Sequence, residues 1–107
     1  MNRKEKLLKI IDTYGIIPQL KYFQSEVFEL TEAIITKEYD YQSMETTRKI
    51  DEENKNHIAE EIADVLVMLE QFRLFYNIDK EDIEKIMDYK IDRQIKRIEK
   101  IENEIKK

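Results

Sequence analysis

The sequence predicts an all-α protein, and three observations carry that reading. Apolar residues recur every three or four positions in four separate stretches, the 107 residues include one Gly and one Pro, and the chain is rich in Glu, Lys, Ile and Leu. A chain with so few helix breakers has few places to turn, so its helices should be long.

The first stripe is Leu7, Leu8, Ile10 and Ile11, which predicts a helix over 2–13 with Asn2 as its N-cap. Gly15 suits the C-terminal cap, because it reaches positive φ without a Cβ clash. A second helix begins at 17 or 18, where Pro18 fits a first turn, and runs to 37 on Leu20, Phe23, Val27, Leu30 and Ile34. Residues 38–56 are polar and weakly periodic, which predicts a loop with Thr46 and Thr47 as candidate caps. The third helix, over 57–76, carries Ile58, Ile62, Val65, Leu66, Leu69 and Phe72 on one face. Asn77-Ile78-Asp79 interrupts the pattern, and Asp79 with Asp82 three residues on predicts a capped start for a fourth helix over 80–105. That helix carries Ile83, Ile86, Ile91, Ile95, Ile98, Ile101 and Ile105, with near-heptad spacing in its later part.

No stretch reads as a linker or a repeat, so residues 1–107 form one helical domain, a bundle of four to five helices. A bundle this small buries little apolar surface by itself, and its long amphipathic helices should complete their core by oligomerisation.

Composition removes several functions. A single Gly excludes a glycine-rich phosphate loop and a dinucleotide fingerprint. The absence of Cys excludes disulfides, a thiolate nucleophile and cysteine-bound zinc, and suits a reducing cytoplasm. A net charge of −5 lacks the footprint of a polymeric nucleic-acid binder. The sequence shows neither an apolar run long enough to span a membrane nor a signal-peptide pattern.

Acidic residues three apart lie on one helix face, so their carboxylates can converge on a cation. Six such pairs occur: Glu26/Glu29, Glu29/Glu32, Glu61/Asp64, Asp79/Asp82, Glu81/Glu84 and Glu99/Glu102. The last three sit among lysines and read as capping and solvated surface. Asp64 differs, because seven of the eight residues from Ile62 to Leu69 are apolar and the helix there should be buried on most of its circumference. A buried carboxylate needs a cation, a donor or a function. Glu61 precedes it by one turn, and Glu26 and Glu29 flank Phe23, Val27 and Leu30. If the second and third helices pack antiparallel, Glu26, Glu29, Glu61 and Asp64 form one cluster. Oxygen-only ligation favours Mg²⁺ or Mn²⁺, and Mg²⁺ shares its ligands readily with phosphates, which points to a nucleotide or other polyphosphate.

Gln24-Ser25-Glu26-Val27-Phe28-Glu29-Leu30-Thr31-Glu32-Ala33-Ile34, followed by Glu60-Glu61-Ile62-Ala63-Asp64-Val65-Leu66, resembles the MazG-like all-α nucleoside triphosphate pyrophosphohydrolases, a superfamily with the dimeric dUTPases and phosphoribosyl-ATP pyrophosphohydrolases. The family signature is Glu-Glu-x-x-Glu on one helix and Glu-x-x-Asp on the next. Here Glu26 and Glu29 match the last two acids of the first motif, Glu61 and Asp64 complete the second, and Ser25 replaces the first Glu. The resemblance spans roughly residues 10–100. It implies a homodimer or homotetramer in which the four carboxylates hold Mg²⁺ and a nucleoside triphosphate is cleaved to monophosphate and pyrophosphate. With Ser25 unable to act as base, Glu29 is the candidate to activate the water.

On the fourth helix Lys90, Arg93 and Arg97 form a basic row at i, i+3 and i+7, where the resemblance implies phosphate binding. A row of surface ion pairs is the plainer reading. His57, the only histidine, reads as a cap, a surface residue or a substrate contact, and one histidine is too few for a di-iron bundle. Phe23, Phe28, Phe72, Phe75 and Tyr76 read as core or interface, with one available to stack on a base, while Gln19, Lys21 and Gln24 are candidates for nucleotide contact. The competing reading is a non-catalytic helical module that oligomerises through its isoleucine stripes. A third keeps the fold and the metal site without turnover, in view of Ser25.

Overall fold

The structure, a computed structural model, describes residues 1–40 and 50–106, with the side chains of all of these except 37–40. Its elements are α1 (Arg3–Tyr14), α2 (Ile16–Asp40), α3 (Glu52–Phe75) and α4 (Lys80–Lys106), with no strand among the described residues. The chain is all-α.

Local chemistry fixes each boundary. Asn2 has an extended backbone, and its Oδ1 accepts from the Glu5 N–H at 2.8 Å, satisfying one of the free donors of α1's first turn. Gly15, at φ 93°, closes α1 by donating its N–H to Ile11 O at 2.8 Å, and α2 starts on the next residue. The polar stretch between the second and third helices is more helical than its weak periodicity predicts: α2 continues to Asp40 and α3 begins at Glu52. The residues of these added turns are mostly polar and form no apolar stripe to mark them. The polar first turn of α3 is held instead by Asp51, whose carboxylate accepts from Asn54 N at 2.8 Å and Asn54 Nδ2 at 3.1 Å. Thr46 and Thr47 lie outside the described residues. After α3, Asn77 takes φ 52°, a left-handed position that asparagine tolerates. The Asp79 carbonyl then accepts from Asp82 N at 3.2 Å to open α4.

The chain divides into two compact units, Met1–Phe75 and Tyr76–Lys107. In the first, α3 packs on α2 and α1, and α1 also touches α2. Leu7, Ile11, Ala33 and Met68 are its buried apolar residues, and Phe23 meets Phe72 edge-to-face with centroids 5.4 Å apart. In the second, α4 has no buried residue, and its isoleucines from Ile86 to Ile105 are exposed.

Both site-bearing helices are rotated from the face their apolar stripes predict. The inward side of α2 is Gln19, Phe23, Glu26, Leu30 and Ala33, while Leu20, Val27 and Ile34 are exposed. The inward side of α3 is Ile58, Glu61, Val65, Met68 and Phe72, while Ile62, Leu66 and Leu69 are exposed. The expected burial of α3 around most of its circumference near Asp64 is therefore not met. Within its unit α3 has two neighbours, and they cover one side of it. The rotation turns two glutamates inward.

Candidate metal centre

Glu26 faces inward from α2, Glu61 faces inward from α3, and Glu29 lies one turn beyond Glu26 on the same helix. Each offers a carboxylate oxygen, and these oxygens all lie within 4.8 Å of one another. Burial grades across the group: Glu26 is 5% exposed, Glu61 is half-buried and Glu29 is exposed. Glu26 Oε2 and Glu61 Oε2 are buried with no hydrogen-bond partner among the described residues. A buried carboxylate oxygen without a donor is costly in any fold, and two of them converge here.

The electrostatics agree. Burial is the largest influence on Glu26 and pushes its carboxyl above the ordinary glutamate value; the Tyr22 hydroxyl pulls the other way, and the charges of Glu29 and Asp64 add to the rise. Glu61 is raised first by burial and then by the charges of Glu29 and Asp64, with His57 opposing. The Tyr22 phenol is raised in turn by its hydrogen bond to Glu26 and by that residue's charge. Mutual repulsion with too few donors is the condition a hard divalent cation relieves.

Asp64 is exposed, one turn after Glu61, and lines a cavity together with Glu26. It acts on both buried glutamates through its charge. Ser25, next to Glu26 on α2, is exposed. His57 is five residues inside α3, so it is not a helix cap. It lines a polar cavity of about 330 Å³ with Glu29, Glu61, Asn54 and Thr36. Glu26 and Asp64 line a larger, mainly apolar cavity of about 600 Å³.

Gln19 is buried in the wall of that larger cavity and donates from Nε2 to Gln71 Oε1 at 2.8 Å; Lys21 and Gln24 are exposed. Gln71 carries no signal in the sequence, because nothing in Leu69-Glu70-Gln71-Phe72 separates it from a surface residue. Phe23 and Phe72 are half-buried and pack edge-to-face on each other, whereas Phe28, Phe75 and Tyr76 are exposed. Lys90, Arg93 and Arg97 are exposed on α4 in the second unit, where the Arg93 guanidinium sits 5.8 Å from the centre of the Tyr89 ring.

No protein-family model matches the chain, and neither a curated protein nor a solved structure matches it. Among the described residues, no helix is long and apolar enough to cross a membrane.

Proposed function

We propose that the chain is a cytoplasmic, Mg²⁺-dependent nucleoside triphosphate pyrophosphohydrolase that works as a homodimer or homotetramer, with Mn²⁺ as a substitute ion. The observation that carries this reading is the convergence of Glu26, Glu29 and Glu61, with two buried oxygens that no donor among the described residues satisfies. The resemblance of the Glu26/Glu29 and Glu61/Asp64 motifs to MazG-like enzymes supplies the reaction class.

The residues fit such an ion: three convergent carboxylates offer only hard oxygen ligands, and their mutual repulsion needs a cation. Glu26, Glu29 and Glu61 would hold it, with Asp64 beside them. When bound, it supplies charge neutralisation and polarisation of the phosphoryl oxygens.

The remaining roles belong to side chains of the chain. Glu29, the exposed member of the group, is open to water and is the candidate to orient and deprotonate the attacking molecule. The water oxygen forms a bond to phosphorus as the bridging P–O bond between the α and β phosphates breaks. The electron pair leaves with pyrophosphate, and the proton passes to the carboxylate. Lys90, Arg93 and Arg97 are assigned to the phosphates by their charge and by the resemblance.

The test is pyrophosphate release from a panel of canonical and modified nucleoside triphosphates, with and without Mg²⁺, by the native protein and Asp64→Asn. Metal-dependent release that the substitution abolishes supports the enzyme. No release from any nucleotide, together with no metal binding by calorimetry, leaves the helical interaction module, which the exposed isoleucine stripe of α4 favours.

A further inference from the structure

The larger cavity lies among α1, α2 and α3, and at about 600 Å³ it falls within the ordinary range of small-molecule sites. Its walls are chiefly apolar, with Pro18, Val67 and Met68 among them. The charged residues that line it are Glu26 and Asp64, and no Lys, Arg or His among the described residues joins them. An apolar interior that carries two carboxylates and no base repels an anion and attracts a cation. The cation that suits it has an apolar body, because the walls offer carbon rather than oxygen over most of their extent.

Glu26 is the group that calls for a donor. Its side chain is 5% exposed, and its Oε2 is buried with no hydrogen-bond partner among the described residues. Asp64 adds a second acceptor, exposed and close enough for its charge to act on Glu26. Gln19 adds a third: its Nε2 donates to Gln71 Oε1 at 2.8 Å, which leaves Gln19 Oε1 as an acceptor on the same wall. A hard metal ion surrounds itself with oxygen ligands and waters, which these apolar walls do not supply. A primary ammonium has three N–H donors for the three acceptors, and a carbon chain behind them for Pro18, Val67 and Met68. Tyr14 and Tyr22, both exposed, add aromatic faces of the kind that attract an organic cation.

We propose that this cavity binds a small primary ammonium compound with an aliphatic body, its head donating to Glu26, Asp64 and Gln19 and its chain lying on Pro18, Val67 and Met68. Neither a metal nor a nucleotide takes part, so the site goes beyond the hydrolase reading and does not rest on it. Glu26 also belongs to the carboxylate group assigned to the divalent ion. An amine held here would therefore oppose binding of that ion, and would inhibit the proposed enzyme.

Met68, buried in the cavity wall, is one of only four methionines in the chain and serves as the reporter. The full-length protein is labelled at its methionine methyl groups, the Met68 signal is assigned by Met68→Leu, and n-hexylammonium chloride is titrated in at constant ionic strength without metal or nucleotide. Hexan-1-ol, which keeps the chain and loses the charge, and hexanoate, which reverses the charge, are titrated in parallel. The expected result is a saturable shift of the Met68 signal with hexylammonium, with binding at least about tenfold weaker for the alcohol and weaker still for the carboxylate. In Glu26→Gln and Asp64→Asn the preference for amine over alcohol should shrink by at least about threefold. Asp64 is exposed, so its variant decides if Glu26→Gln does not fold. A Met68 signal that hexylammonium does not move, equal binding of amine and alcohol, or a preference that Asp64→Asn leaves intact overturns the proposal. Pyrophosphate release by a protein whose Met68 stays silent would keep the enzyme and remove the amine site. A responsive Met68 in a protein that hydrolyses no triphosphate would do the reverse.

Discussion

Replacing Glu26 by glutamine should separate the cost of the acidic cluster from its use. In the metal-free protein the Glu26 carboxylate is 5% exposed, has an oxygen without a donor, and faces Glu29 and Glu61. A buried polar group left unsatisfied costs about 1–3 kcal/mol, and the Tyr22 hydroxyl already offsets part of that. The neutral amide should therefore leave the metal-free protein as stable as before, or more stable by about 1 kcal/mol. The metal response should change in the opposite sense. An ion at a hundred times its Kd adds about 2.7 kcal/mol to the unfolding free energy. For a unit the size of Met1–Phe75 that raises Tm by roughly 10–20 °C. If losing one of three charged ligands weakens binding about a hundredfold, the same ion concentration gives the E26Q variant only about 0.4 kcal/mol. Thermal melts with and without Mg²⁺ or Mn²⁺, followed by circular dichroism, read both effects. An equal metal-induced rise in native protein and E26Q would refute the assignment of Glu26 as a ligand. A native protein whose melting ignores both ions would refute the centre itself.

Other outcomes follow from the same structure. Glu26 and Glu61 are raised above their ordinary value of 4.5, so the folded metal-free protein binds protons that the unfolded chain has already lost. The contribution of these two groups to stability should be most favourable below that value and fall as pH rises through the raised range, while metal affinity climbs over the same interval; comparing urea titrations and calorimetry of the native protein and E26Q at several pH values would show it, and identical profiles would contradict it. Gly15→Ala should cost about 1–2 kcal/mol in urea unfolding, because the position holds φ 93° while the nearest atom to an added Cβ, Pro18 Cδ at 3.6 Å, leaves room for it. Arg93→Gln should raise KM for a triphosphate more than it lowers kcat, and increased salt should blunt the difference. Ile95→Glu with Ile98→Glu should shift the species seen by sedimentation towards monomer if the exposed stripe of α4 forms a subunit contact.

The sequence reveals the helices more readily than their orientation. Asn2, Gly15 and the break at Asn77 act where the residue types suggest, because capping and positive φ are decided within a few residues. The extra turns of α2 and α3 are illegible from periodicity, since their residues are mostly polar and form no apolar stripe; Asp51 is the signal for the start of α3. Glu26, Glu29 and Glu61 are legible from their spacing and apolar setting. Gln71 is not, because its partner Gln19 lies 52 residues away and only the fold brings the two amides together.

The rotation of α2 and α3 exposes part of each apolar stripe and brings three of the four expected carboxylates together, with Asp64 exposed outside that group. A helix whose apolar stripe is Leu20, Phe23, Val27, Leu30 and Ile34 should turn all of it inward if burial alone decided, since each such side chain gains about 1.5–3 kcal/mol by leaving water. The fold instead places Gln19, Glu26 and Ala33 inward beside Phe23 and Leu30 and leaves Leu20, Val27 and Ile34 exposed. Facing it, α3 makes the same exchange, with Glu61 and Gln71 turned inward at the expense of Ile62, Leu66 and Leu69. Two adjacent helices giving up apolar burial for glutamates and glutamines is an arrangement that packing does not reward. On the proposed function, a cation between the glutamates would offset that loss. The inward glutamates would then tie the fold of α2 and α3 to the cation, so that loss of the ion should loosen their packing.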